Sequence, residues 1–329
     1  MTETIESSDK LKVRFLSIDV FKGLTVVLMV LVNTLAIYEN VPNWSKHAGD
    51  FGLTYVDLIA PFFIFMLALN MNISYQKRKE KFGRKKATLR YIRKFLILLG
   101  IGFLLTLYIE PGEFYFRWGT LQVLGMSGLL LLPIIELKPF LKLSGAVIIM
   151  ILHQIILFTP LSSIIYESIE GGILGTLSWG SMMILSSFLA ESLTKGKDKV
   201  KSYFLFGGLI CIILGFGFGF ILGISRAYVS LPYIIVSVGF SSLIYYILYY
   251  IFEVWANNHE FVKKERFFSV VGKNAFMLYL IHVVIVYSTY QIIPLNISSV
   301  IIFSISFVNV AIIWLIAFLM NKVEMIIII

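Results

Sequence analysis

Residues 43–70 read NWSKHAGDFGLTYVDLIAPFFIFMLALN, and the change of character inside this stretch decides the fold. It opens as a polar loop with one histidine, His47. It then passes through a small turn, Gly52-Leu53-Thr54, and becomes apolar. From Tyr55 onward the only charged side chain is Asp57, and Pro61 follows one turn later. An acidic residue suits a helix start because the backbone dipole is positive there. Proline is tolerated early in a helix, where few backbone donors need partners. The pattern predicts a membrane helix whose first turn carries a carboxyl, with an imidazole at its mouth. That mouth is the candidate reaction site.

The rest of the chain fits a membrane protein. Of 329 residues, 58% are hydrophobic and 14% charged, where a soluble domain usually carries about 25% charge. Windows of ~20 apolar residues match the hydrocarbon thickness of a bilayer. Ten such windows are expected, at 19–38, 54–74, 91–109, 119–136, 143–160, 172–191, 203–223, 231–252, 268–290 and 297–320. The expected fold is therefore all-α and polytopic, with a polar tail over 1–13, one transmembrane domain over 14–324 and an apolar tail over 325–329. The first apolar run lacks a cleavage site of small residues and reads as a retained helix.

The net charge of +9 does not point to nucleic acid, because the basic residues sit in alternate connections. The stretch 75–94, YQKRKEKFGRKKATLRYIRK, carries ten Lys and Arg. Lys138 and Lys142, then Lys195, Lys197, Lys199 and Lys201, then Lys263, Lys264 and Arg266 fall at every second connection. The intervening ones hold Lys46, Arg117 and Arg226. Lys and Arg in short loops face the cytoplasm, so both termini are expected inside and His47 outside. The single cysteine, Cys211, excludes an intrachain disulfide and a thiolate metal site, and no metal is expected.

Ionisable and polar groups within apolar spans are costly, so each is a candidate. Asp19 and Lys22 stand three residues apart on one helix face; an interfacial ion pair is the plain alternative. Asn33 lies fourteen residues beyond Asp19, ~21 Å along a helix, at the expected depth of His47. It can also simply bridge two helices. His153 is a lone histidine among Ile and Leu, and His259 sits in a basic loop. Gly215, Gly219 and Gly223 repeat at four-residue spacing, a pattern that admits a neighbouring helix.

Several segments resemble one family. RFLSIDVFKGLTVVLMVLVN (14–33) and HAGDFGLTYVDLIAPFFIF (47–65) are similar to the opening of the heparan-alpha-glucosaminide N-acetyltransferase catalytic region. RWGTLQVLGMSG (117–128), EGGILGTLSWGSMM (170–183) and GKNAFMLYLIH (272–282) resemble later blocks. The family's loop histidine is regarded as acetyl-carrying or acetyl-directing, and His47 matches it. Asn33, Gln122, Asn274 and His282 match as well. The chain departs from the pattern at Lys22, where Arg is usual, at Asp50 (aromatic), at Val123 (Arg) and at Lys273 (apolar). The resemblance implies that the chain corresponds to the family's membrane portion, as expected of a prokaryotic-type member lacking the lumenal domain.

Topology and resemblance together imply a function. Asn33, His47, Asp57, Gln122 and His282 collect in the outer half; Lys22 and Lys273 collect at the inner face with the basic stretch 75–94. That arrangement suits acetyl-CoA, with its phosphates inside and its thioester outside. The expectation is an acetyl-CoA-dependent acyltransferase in a prokaryotic cell membrane. His47, Asn33 and Asp57 would be catalytic, with Asp57 either orienting the imidazole or merely capping its helix, and Lys22, Gln122, Lys273, Asn274 and His282 would hold acetyl-CoA. The acceptor would be an amino or hydroxyl group of an extracytoplasmic sugar or glycan. The resemblance also implies a homodimer surrounded by lipid. Two alternatives stay open: a sugar or small-metabolite transporter of the same fold, and a non-catalytic relative that binds lipid or a partner protein. No repeat of the kind many transporters show relates the motif segments 14–65 and 272–282.

Overall fold

The computed structural model describes residues 14–110 and 113–326; the 1–13 tail and the last three residues of the 325–329 tail lie outside them. The chain is an all-α polytopic membrane protein. Among the described residues, eight helices are long and apolar enough to cross a membrane: Leu16–Leu35, Tyr55–Phe82, Pro139–Ile156, Ile169–Thr194, Lys197–Leu222, Leu231–Val254, Ala275–Ile292 and Ser299–Lys322. The other two expected windows are also helical. Thr120–Leu131 has 12 residues, and Arg84–Leu105 carries its apolar run behind a basic first half.

Three departures from the sequence reading have local causes. The stretch 75–94 is not a loop: the helix Ile59–Phe82 runs through its first half and Arg84–Leu105 through its second. Lys, Arg, Glu and Gln lose little rotamer freedom in a helix, and only Gly83, at φ +82°, breaks the run. Between Arg84–Leu105 and Thr120–Leu131 the chain forms an antiparallel hairpin, Leu107–Glu110 with Glu113–Phe116, in which Tyr108 opposes Tyr115. The expected window 268–290 is two helices, Phe268–Lys273 and Ala275–Ile292, separated at the non-helical Asn274 (φ −118°, ψ 28°).

The chain forms two compact units. One contains Gly49–Leu53 and Ala60–Leu243. In it, Lys197–Leu222 packs on Leu231–Tyr249 through glycines. A Cβ on Gly215 would lie 2.7 Å from the Val236 nitrogen, and one on Gly239 would lie 2.9 Å from the Gly208 oxygen. Gly219 and Gly223 face the turn at the helix end instead, against Ile224 and Phe51. The helix-packing row is therefore Gly208 and Gly215.

The other unit contains Arg14–Ala48, Thr54–Ile59 and the chain from Ile244 onward. Here Leu16–Leu35 meets Phe268–Lys273 backbone to backbone. A Cβ on Gly23 would lie 1.9 Å from the Phe268 oxygen, and one on Gly272 would lie 1.8 Å from the Asp19 oxygen. Glu253 Oε1 accepts the Ser17 N–H at 2.9 Å and its hydroxyl at 3.0 Å. A carboxylate is thus fixed at the positive end of the first membrane helix.

Candidate functional site

The site forms in the unit that carries the first helix. After the 3-10 turn Asn43–Ser45, Lys46 takes an extended backbone, and an irregular stretch that carries His47 reaches the turn Tyr55–Leu58, which leads into Ile59–Phe82. Pro61 falls in the first turn of that α-helix. Asp57 is the third residue of the turn. Its Oδ2 accepts the Thr54 N–H at 2.8 Å and the Ala48 N–H at 3.2 Å. The Thr54 hydroxyl reaches the Lys46 carbonyl at 2.8 Å and Asp57 Oδ2 at 3.1 Å. Asp57 Oδ1 lies 2.8 Å from His47 Nδ1. One carboxylate thus caps a helix start with one oxygen and orients an imidazole with the other.

The exposure of the two partners differs sharply. The Asp57 side chain is fully buried, while that of His47 is 46% exposed. A carboxylate accepts, so in the neutral ring Nδ1 carries the hydrogen and Nε2 the lone pair. Trp44 stacks on Phe303, with centroids 6.1 Å apart, and neighbours Tyr55, whose hydroxyl lies 2.5 Å from Ser45 Oγ. The sequence reading does not single out Trp44 and Tyr55. The signal for them is aromatic residues flanking a loop histidine on both sides.

Asn33 and His282, 249 residues apart in sequence, meet in the same unit. Asn33 Nδ2 donates to His282 Nε2 at 3.0 Å, and His282 Nδ1 donates to the Tyr279 carbonyl. The Tyr290 hydroxyl bonds the Asn33 carbonyl. Beside them Asn309 donates to Thr34 Oγ1 at 3.1 Å and to Thr289 Oγ1 at 3.0 Å. This polar seam ties Leu16–Leu35 to Ala275–Ile292 and Ser299–Lys322, as interhelical hydrogen bonds do in lipid.

The remaining predicted residues lie elsewhere. Lys22 Nζ is 3.7 Å from Asp19 Oδ1, whereas Arg14 Nε holds Asp19 Oδ2 at 2.7 Å. Lys273 Nζ donates to Asn321 Oδ1 at 2.8 Å, and Asn274 Nδ2 to the Met325 carbonyl at 2.9 Å. Gln122, in the other unit, is fully buried. Its Oε1 accepts the Gly119 N–H at 3.1 Å, and its Nε2 donates to Thr106 Oγ1 at 2.8 Å and the Arg117 carbonyl at 3.2 Å. That amide joins the hairpin exit to the helix start. The same unit holds a cavity of about 410 Å³ beside the buried Lys142–Glu191 pair, 2.7 Å apart. Among the described residues no three His, Cys, Asp or Glu side chains are grouped as metal ligands.

The eight apolar helices among the described residues and a histidine–carboxylate dyad at a helix mouth define a membrane protein with acid–base or nucleophilic chemistry available to it. The chain matches the heparan-alpha-glucosaminide N-acetyltransferase catalytic family over residues 14–250, and it belongs to that family. It is accordingly a membrane acetyltransferase in broad class. The match contains Asn33, His47, Asp57 and Gln122; the 272–282 segment lies beyond it. No curated protein matches the chain significantly.

Proposed function

We propose that this protein moves an acetyl group from cytoplasmic acetyl-CoA to an amino or hydroxyl group of a sugar on the far side of a prokaryotic cell membrane, with His47 as the reacting residue. The observation that carries the reading is the His47–Asp57 geometry. A buried carboxylate 2.8 Å from Nδ1 leaves a lone pair at Nε2 of a half-exposed ring. This is the histidine–carboxylate part of the catalytic triad arrangement.

The alternation of Lys and Arg supports the orientation. The donor supplies a thioester, an activated acetyl group. His47 Nε2 can form the bond to the acetyl carbon as the carbon–sulfur bond breaks, or it can take the proton from the acceptor amine or hydroxyl during direct transfer. Both routes use the same lone pair and the same support from Asp57, which stabilises the imidazolium that either one produces. Asn33, partly exposed and already donating one amide hydrogen to His282, has a second hydrogen for a developing oxyanion.

The cations of this unit fit an anionic donor. Among the described residues neither Lys22 nor Lys273 has a carboxylate closer than 3.7 Å, so both can turn to phosphates at modest cost. Asn274 and Gln122 would meet the donor only by exchanging the hydrogen bonds they make to Met325 and to Gly119, Arg117 and Thr106, and His282 would act through Asn33.

The test is acetyl transfer from labelled acetyl-CoA by the purified protein in vesicles. Transfer, or label trapped on His47 after acid quench, is expected in the native protein and lost in His47→Ala. Undiminished transfer by His47→Ala would overturn the mechanism.

A further inference from the structure

The segment Gly49–Leu53, which begins two residues after His47, belongs to the larger unit and is built into its surface. The Gly52 N–H donates to the Ile224 carbonyl at 2.8 Å. The Tyr166 hydroxyl donates to Asp50 Oδ1 at 2.7 Å. Phe51 stacks on Tyr228 with centroids 6.1 Å apart at 24°, and Tyr228 lies 5.0 Å from Tyr166. Gly223, at φ +74°, lets the Phe51 ring lie against the backbone, since a Cβ there would come within 2.6 Å of that ring. The result is a ridge of three rings with a carboxylate at the Tyr166 end. Phe51 stays 62% exposed and Tyr166 42% exposed.

The geometry points to a saccharide-binding surface on which a neutral sugar ring stacks on Phe51 or Tyr166 while its hydroxyls donate to Asp50. It rests on the acetyl-transfer reading above for its role as an acceptor subsite, though not for its existence. An interfacial aromatic belt accounts for the rings but not for an exposed carboxylate bonded to one of them. A carboxylate only accepts hydrogen bonds and has about four lone-pair positions, so Asp50 can take sugar hydroxyls beyond the Tyr166 bond. Asp50 also holds the Tyr166 phenol above its ordinary value through that hydrogen bond and through its charge, which keeps the phenol a donor.

Charge then sets the class of sugar. Asp50 and Glu167 are exposed. Arg226, a cation of the adjoining loop, is held by the buried Glu170 at 2.5 Å. A uronate or sulfate would meet like charge, which is a common way of rejecting a wrong ligand. The four tethers among three chain segments preform the surface, which lowers the ordering cost of binding.

Saturation-transfer NMR on the full-length purified protein tests this directly, with cellobiose, maltose and N,N′-diacetylchitobiose against cellobiouronic acid. Saturation transfer to at least one neutral disaccharide is expected, with binding of the uronate weaker by about fivefold or more. Asp50→Asn should weaken neutral binding about tenfold and narrow the gap to the uronate. Phe51→Ala should weaken it similarly. Because Asp50→Asn changes one exposed group, it decides the matter if Phe51→Ala misfolds. No transfer to any neutral sugar, indifference to Asp50→Asn, or equal binding of the uronate would overturn the assignment. Sugar binding without acetyl transfer would remove only the acceptor role. Acetyl transfer with no sugar signal at this ridge would remove only the surface.

Discussion

His47 Nδ1 and Asp57 Oδ1 lie 2.8 Å apart across a boundary between solvent and a buried helix start. The two oxygens of Asp57 do separate work, and a substitution can separate them. Asp57→Asn keeps an acceptor oxygen for either the backbone or the ring, but it removes the charge that stabilises an imidazolium and permits the wrong tautomer. The expected result is a fall of about 10²–10⁴-fold in the rate of acetyl transfer, with donor affinity little changed. Single-turnover kinetics with labelled acetyl-CoA measure this. A rate within threefold of the native one would leave Asp57 as a cap alone.

Asn33 and His282 form a second pair with a different expected signature. His282 is buried, and its Nε2 accepts from Asn33. Asn33→Ala leaves that acceptor unsatisfied, a loss that costs ~1–3 kcal/mol for a buried polar group. His282→Ala should destabilise similarly. The double variant should lose less than the two singles combined, because both remove the same bond. Thermal unfolding in detergent gives these values. If Asn33→Ala slows transfer far more than it destabilises, its free amide hydrogen serves the reaction.

Much of this was legible in the sequence, for physical reasons. Apolar runs of membrane length cannot be mistaken for much else, and His47 stood out as a titratable group at the start of one. The double role of Asp57 was half legible: its place in the first turn signals a cap, but which loop group folds back onto it depends on the turn at Gly52–Thr54. The helical state of 75–94 was hidden because charge marks a solvated face as well as a loop. Glu253 escaped notice at the end of its span, although it serves the start of another helix. Gly23 and Gly272 gave no periodic signal, since each makes a single close crossing rather than a repeat.

Those two glycines make a sharp stability test. A methyl on Gly23 or Gly272 would overlap backbone oxygen at 1.9 and 1.8 Å. Backbone cannot rotate away as a side chain can, so Gly23→Ala and Gly272→Ala should each cost more than the ~1–3 kcal/mol usual for overpacking. Gly217, in Lys197–Leu222, has open space where a Cβ would stand. Gly217→Ala should be neutral, or stabilising by up to ~1 kcal/mol through helix propensity. Thermal midpoints of the three variants, measured side by side, check the contrast.

A last prediction concerns acid stability. Glu136 joins the hairpin-like junction of Ile59–Phe82 and Arg84–Leu105 to the turn after Thr120–Leu131. Tyr75 donates to its Oε1 at 2.7 Å, and Lys79 and Arg84 lie 3.2 and 3.3 Å from Oε2. Burial alone would raise its pKa, but the hydrogen bonds from Tyr75 and Lys79 and the charges of Lys79 and Arg84 hold it below the ordinary 4.5. A carboxyl with a lowered folded-state pKa binds protons more weakly when folded. Its stabilisation is therefore present above 4.5 and fades as pH falls from there through the folded value. Solvent-exposed ion pairs are worth ~0.2–1 kcal/mol each, so Glu136→Gln should lower the unfolding midpoint modestly at pH 7. The difference between native and variant should shrink as the pH is taken from 5 toward 3. A gap that stayed constant over that range would mean that Glu136 acts through packing rather than charge.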